Sequence, residues 1–194
     1  MLAQGLLALS LVVRIYDTYG VPGDQLARAR MTVDGIMKTA GVAVTWTQCP
    51  CPLPVGASEL IVRLTGASPA SEPASLGFSY VDIDHKAGTL ATVFADRVRA
   101  LAAAAGIDDS ELLGRAMAHE ISHLLLGTRD HDHYGLMRGL WTANELVKQR
   151  PFDWMLSQTE RARIRQAIAR RSIEGAQPAM VSADADSAPD VSAQ

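Results

Sequence analysis

The chain has 194 residues, 48% of them hydrophobic and 20% charged, which is enough length and apolar content for one sizeable core and excludes disorder as its main state. Lys and Arg number 18 against 21 Asp and Glu, a formal net charge of -3, so the broad cationic face that a nucleic-acid partner requires is excluded. All of that net charge sits at the C-terminal end, where residues 175–194 carry Asp184, Asp186 and Asp190 and no Lys or Arg.

Residues 1–13 are largely apolar, but they are short for a membrane span and lack the basic start of an export signal, so no transmembrane segment is expected. An export signal ending before Leu9 stays open, and a secreted or periplasmic location is favoured over a cytoplasmic one. Leu9, Leu11, Val13 and Ile15 alternate with Ser10, Val12, Arg14 and Tyr16, the period-two pattern of a first strand. Pro22-Gly23-Asp24 then opens a helix in which Leu26, Ala29, Val33, Ile36 or Met37, and Ala40 recur at helical spacing until Gly41. Strands are predicted at 42–47, 59–65 and 77–83, and a fourth run at 89–94 leads into a short helix at 96–104. The loop after the first of these strands holds Cys49-Pro50-Cys51, read as two thiols or one local bridge. Two cysteines are too few for a disulfide scaffold.

Asp108 and Glu111 stand three apart before an apolar run, the signature of a capping box, and predict a helix from Asp109 to Leu126 with Gly127 as its stop. The same signature in Thr142 with Glu145 and in Ser157 with Glu160 predicts helices at 143–149 and 158–171, separated by Pro151. Beyond Ser172 the sequence turns to Ala, Ser, Asp and Pro, so residues 175–194 are expected to be a disordered acidic tail on a domain of residues 1–174.

Four of the five histidines, His119, His123, His131 and His133, fall within fifteen positions, a clustering that asks for a metal. His119-Glu120-Ile121-Ser122-His123 is an H-E-x-x-H inside the strongest predicted helix, so both imidazoles share one face and can reach one zinc. Glu120 projects about 100° round from His119, placed to touch a water on the metal without ligating it, and is the candidate general base. Zinc takes neutral nitrogen donors, and a catalytic site keeps its fourth position for water, so one more protein ligand is needed. His131, the first donor after the turn at Gly127, is the expected third ligand, with His133 as the alternative. In an extended segment both project to one side, so His133 could instead contact substrate or a developing oxyanion.

The run from His119 to Arg138 resembles the metzincin metallopeptidases, whose pattern is H-E-x-x-H-x-x-G-x-x-H followed by a methionine-containing turn beneath the metal. Here the glycine, Gly127, comes four residues after His123 and His131 four after the glycine, so the loop is two residues longer and the standard third-ligand slot holds Arg129. Gly135-Leu136-Met137-Arg138 matches the turn, with Met137 as a floor under the metal or as core filling, and Tyr134 as a possible oxyanion donor. The chain looks most similar to small, uncharacterised bacterial zinc metalloproteases with an H-E-x-x-H-L-L-L-G core.

The resemblance implies an α+β, zincin-like fold: a twisted, mixed five-stranded sheet with a helix after strand 1, an active-site helix and a short C-terminal helical part. It divides the catalytic domain near residue 127, into an N-terminal subdomain of about 9–127 and a C-terminal part of about 128–174. An antiparallel edge strand lining the cleft would be 77–83, or else 89–94. The implied activity is that of a zinc metalloendopeptidase on peptide or protein substrates. Two alternatives remain: a gluzincin-type peptidase taking Glu145 as third ligand, from the pair Asn144-Glu145, and an inactive zinc-binding interaction module on the same scaffold.

Overall fold

A computed structural model of the chain describes residues 9–51, 54–56, 58–68, 72, 74–148 and 150–176. The export signal considered before Leu9, and residues 177–194 of the expected tail, lie outside the described residues. The elements run β1 (Leu9–Asp17), α1 (Gly23–Thr39), β2 (Val42–Gln48), β3 (Glu59–Thr65), β4 (Gly77–Asp82), β5 (Ala87–Phe94), α2 (Ala95–Ala105), α3 (Asp109–Leu126), α4 (Ala143–Val147), a single 3-10 turn at Pro151–Trp154, and α5 (Gln158–Ala176). This is the α+β arrangement expected from the sequence.

The five strands form one sheet in the order β2-β1-β3-β5-β4. The three pairings among β2, β1, β3 and β5 are parallel, whereas β4 runs antiparallel to β5 and forms an edge. Register explains which face is buried. Val13 pairs with Leu60 and Ile15 with Val62, and all four are inaccessible to solvent, so one face of alternate residues lies under the helices. Arg14, on the opposite face, is ion-paired to Glu59 at 2.6 Å.

Helix α3 is the centre of the packing: α1, α2, α5, β4 and β5 all lie against it. Met117, Ile121, Leu124 and Leu125 are fully buried, each contributing roughly 1.5–3 kcal/mol of apolar burial. At its start the Asp108 carboxylate accepts from the backbone N–H of Ser110 at 2.8 Å and of Glu111 at 3.1 Å. The reciprocal half of the expected capping box does not form, because Glu111 turns instead to the Arg115 guanidinium one turn on. At its end Gly127 adopts φ 63° and its N–H bonds the His123 carbonyl at 3.0 Å.

The remaining differences from expectation have local causes. β5 begins two residues early because the β4–β5 turn is tight, with Lys86 at φ 49° and the Asp82 carboxylate accepting from the N–H groups of Asp84 and His85. That turn also accounts for the isolated His85, which pairs with Asp82. α4 ends at Val147 rather than 149, and Pro151 opens the unexpected 3-10 turn from a first-turn position where no backbone N–H is needed. α5 passes its expected end at Arg171 because that guanidinium is buried, donating to the carbonyl of Gly88 at 2.5 Å. Cys49 and Cys51 are joined in a disulfide. No helix among the described residues is long and apolar enough to cross a membrane.

Gly127 is where backbone and packing constraints coincide: its φ suits glycine, and a Cβ there would run into the main chain of Lys86. Gly127→Ala is expected to cost at least about 2 kcal/mol, lowering the melting temperature by roughly 4 °C or more. An unchanged thermal melt would contradict this close approach.

Candidate metal centre

Three physical constraints place the histidines of α3. The helix sets His119 and His123 one turn apart, and packing buries both, at 7% and 5% exposure. Main-chain carbonyls then fix the rings: His119 Nδ1 donates to Leu136 O at 2.8 Å and His123 Nδ1 to Thr128 O at 2.9 Å. A carbonyl only accepts, so each Nδ1 carries the proton and each Nε2 is left with a bare lone pair. These two nitrogens face one another at 3.0 Å.

Neither imidazole is held protonated. Burial, helped by the neighbouring imidazoles, pushes His119 down to about 3 and His123 to about 4, from 6.5. The centre therefore presents neutral nitrogen donors at ordinary pH.

His131 completes the group from the loop that follows Gly127. Its Nε2 lies 3.2 Å from that of His123, and the ligating nitrogens of all three residues fall within 4.8 Å of one another. The loop doubles back, with the Asp132 N–H bonded to Met137 O at 2.9 Å, and the absence of a side chain at Gly139 lets the His131 ring lie close. This return also delivers the Leu136 carbonyl to His119. The two extra residues relative to the metzincin spacing thus leave the third imidazole within reach of the other two. Arg129, which occupies the standard slot, donates to Val81 O on β4 at 3.0 Å and ties the loop to the sheet edge.

The other residues singled out by sequence lie elsewhere. His133 is exposed with its ring beside Tyr134 at 6.5 Å between centroids, and Tyr134 itself is 83% exposed; neither lines the cleft over the triad. Glu145 accepts from the Thr142 N–H at 3.0 Å and approaches Arg138 at 3.6 Å, so it serves its helix start and does not join the imidazoles. Met137 is buried in the core.

The cleft has a volume of about 480 Å³ and is lined by His119, Glu120, His123 and His131 together with β4 and the segment after Met137. Glu120 is buried, and its carboxyl is pushed up to about 7 from 4.5 by desolvation, against the opposing pull of a hydrogen bond from Ser79. Sequence reasoning missed Ser79, because one serine in a strand carries no motif. It also missed Trp141, which packs edge-on against His119 at 5.5 Å and against Trp154 at 5.2 Å. Arg115 lies over the Trp154 ring at 3.9 Å, so a row of edge-to-face rings ending in a guanidinium supports the first imidazole.

The donor set fits a zinc ion. Tetrahedral zinc with nitrogen ligands at about 2.0–2.1 Å separates those nitrogens by about 3.3 Å, close to the 3.0 Å and 3.2 Å found here. Three imidazoles leave one of four positions for a non-protein ligand.

No protein-family model matches the sequence, and no curated protein matches it. Solved structures do share its fold. A zinc-dependent peptidase from Methanocorpusculum labreanum aligns with a TM-score of 0.54 at 15% identity, over 78% of this chain and 99% of its own. Archaemetzincin from Methanopyrus kandleri aligns with a TM-score of 0.56 at 12% identity, over 88% of this chain and 100% of its own. Metalloproteinase-II from Bacteroides fragilis aligns with a TM-score of 0.51 at 11% identity, over 83% of this chain and 54% of its own. At these identities the likeness establishes the fold alone, one also found in zinc peptidases; the histidine triad placed to bind metal is a feature of this chain's own geometry.

Proposed function

We propose that the chain is a zinc-dependent metallopeptidase of metzincin type, cleaving within peptide or protein substrates, with His119, His123 and His131 as ligands and Glu120 as general base. The observation that carries this reading is the convergence of three neutral imidazoles in the same cleft as a buried carboxylate with a raised pKa. The zinc peptidases that share the fold support it.

When bound, zinc supplies a Lewis acid that polarises the scissile carbonyl and lowers the pKa of its water. Glu120 takes a proton from the attacking water and returns it to the departing amine. The edge position of β4 leaves one side of that strand free to pair with an extended substrate segment above the site. Leu76, Phe78, Val81 and Trp141 give the cleft a mainly apolar wall on which substrate side chains can pack. Retention of Glu120 in the cleft favours turnover over a purely structural metal module. A secreted or periplasmic setting is part of this proposal.

Chelation is expected to abolish hydrolysis of a fluorogenic peptide library, and added zinc to restore it. Glu120→Gln should keep one zinc per chain by metal analysis and lose roughly 10²- to 10⁴-fold in kcat; full activity would refute the base assignment. His131→Ala should weaken zinc retention against a competing chelator far more than His133→Ala, and the reverse ranking would move the third ligand.

Acid response of the metal-free protein gives a separate check. His119 and His123 have folded-state values below the 6.5 of the unfolded chain, so the unfolded state binds more protons beneath that pH. Their contribution to stability is present in full above about pH 6.5 and is lost on acidification toward the folded values. Replacing both by Gln should flatten the fall in melting temperature between about pH 6.5 and 4.5, and an unaltered slope would contradict burial as neutral rings.

A further inference from the structure

We infer that Ser79 is a positioning residue for Glu120: it grips one carboxylate oxygen so that the other is presented to the cleft, with Gly77 providing the room. The inference deepens the peptidase reading and rests on it for its kinetic consequence.

β4 turns Gly77, Ser79 and Val81 to one side, and of these Gly77 and Val81 are buried. This side meets α3 at Glu120. The Ser79 Oγ lies 2.7 Å from Glu120 Oε2 and 2.8 Å from the main-chain oxygen of the same residue. A hydroxyl has one proton and donates to one acceptor at a time, yet both acceptors belong to Glu120. When the carboxylate is ionised the hydroxyl donates to Oε2, and when the carboxyl is protonated it donates to Oγ while the hydroxyl turns to the main-chain oxygen of the rigid helix, so in either state Oγ holds Oε2 in place. Without such a partner the terminal torsion of a glutamate is broad and roughly two-fold.

Two residues earlier on the same side, Gly77 has no side chain to compete for that space. A Cβ there would stand 2.9 Å from Glu120 Oε1, 3.1 Å from its Cγ and 2.5 Å from the Thr92 main-chain oxygen. Any other residue would displace the carboxylate or part β4 from β5. The pattern Gly77-x-Ser79 therefore forms a two-point cradle on the sheet edge: a donor under Oε2 and bare backbone beside Oε1. The same strand that is free to receive substrate also sets the orientation of the base, which couples the two without any moving part.

The test compares zinc-loaded parent, Ser79→Ala and Ser79→Thr proteins. Zinc content should be equal in all three. On the fluorogenic peptide that the parent cleaves fastest, Ser79→Ala should lose about tenfold to a hundredfold in kcat with KM within about twofold, and Ser79→Thr, which keeps the hydroxyl, should recover most of that loss. In crystal structures of the same proteins the Glu120 carboxylate should hold one orientation in the parent and Ser79→Thr, and be rotated or split in Ser79→Ala. An unchanged single orientation in Ser79→Ala overturns the inference, as does equal activity of the Ala and Thr variants at a reduced level or an undiminished kcat in Ser79→Ala. A parent that holds zinc and cleaves nothing defeats the peptidase reading alone, and the carboxylate orientation still decides the role of Ser79.

Discussion

Two lone-pair nitrogens 3.0 Å apart repel one another unless a positive charge lies between them, and here neither ring can relieve the conflict alone. His119 and His123 cannot swap tautomers, since Leu136 O and Thr128 O each accept a proton from Nδ1. Nor do they readily take a second proton, because burial disfavours the charged form. His131 adds a third nitrogen to the same point. A divalent cation satisfies all three at once, and the arrangement makes most physical sense as one built around such an ion.

The rest of the architecture serves to hold that conflict in place. α3 supplies the spacing, its buried apolar face anchors it against the sheet, and the loop after Gly127 returns both the third imidazole and the carbonyl that orients the first. Arg129 fastens this loop to β4, and the edge-to-face row of Trp141 and Trp154, with Arg115 over the latter, braces His119. Rigid support of this kind matters because ligand geometry out by a few tenths of an ångström changes metal affinity and reactivity. The aromatic row also links the C-terminal part of the chain to the start of α3, where Arg115 is held by Glu111.

Much of this was legible in the residues themselves. The bounds of α3 follow from Asp108 and Gly127, both strong local signals, and the strands follow from period-two alternation in which one face must be buried. The edge position of β4 came from family resemblance, since alternation alone cannot say which strands are neighbours. The convergence of His131 with the pair on α3 was expected as a donor type at a workable distance along the chain. What sequence could not give was the return path of the loop, which depends on the tertiary bond between Asp132 N–H and Met137 O. Ser79 and Trp141 were invisible for a similar reason: each acts on a residue about 40 or 20 positions away, and no local pattern marks such a contact. Elsewhere local rules were overridden by packing, as when Glu111 left its capping role for Arg115, or α5 ran on because Arg171 found buried carbonyls.

X-ray absorption at the zinc edge on the metal-loaded protein tests the central claim most directly. Three imidazole nitrogens at about 2.0–2.1 Å with one further light-atom ligand is the predicted coordination. A fully hydrated ion, or a closed shell of four imidazoles, would contradict it.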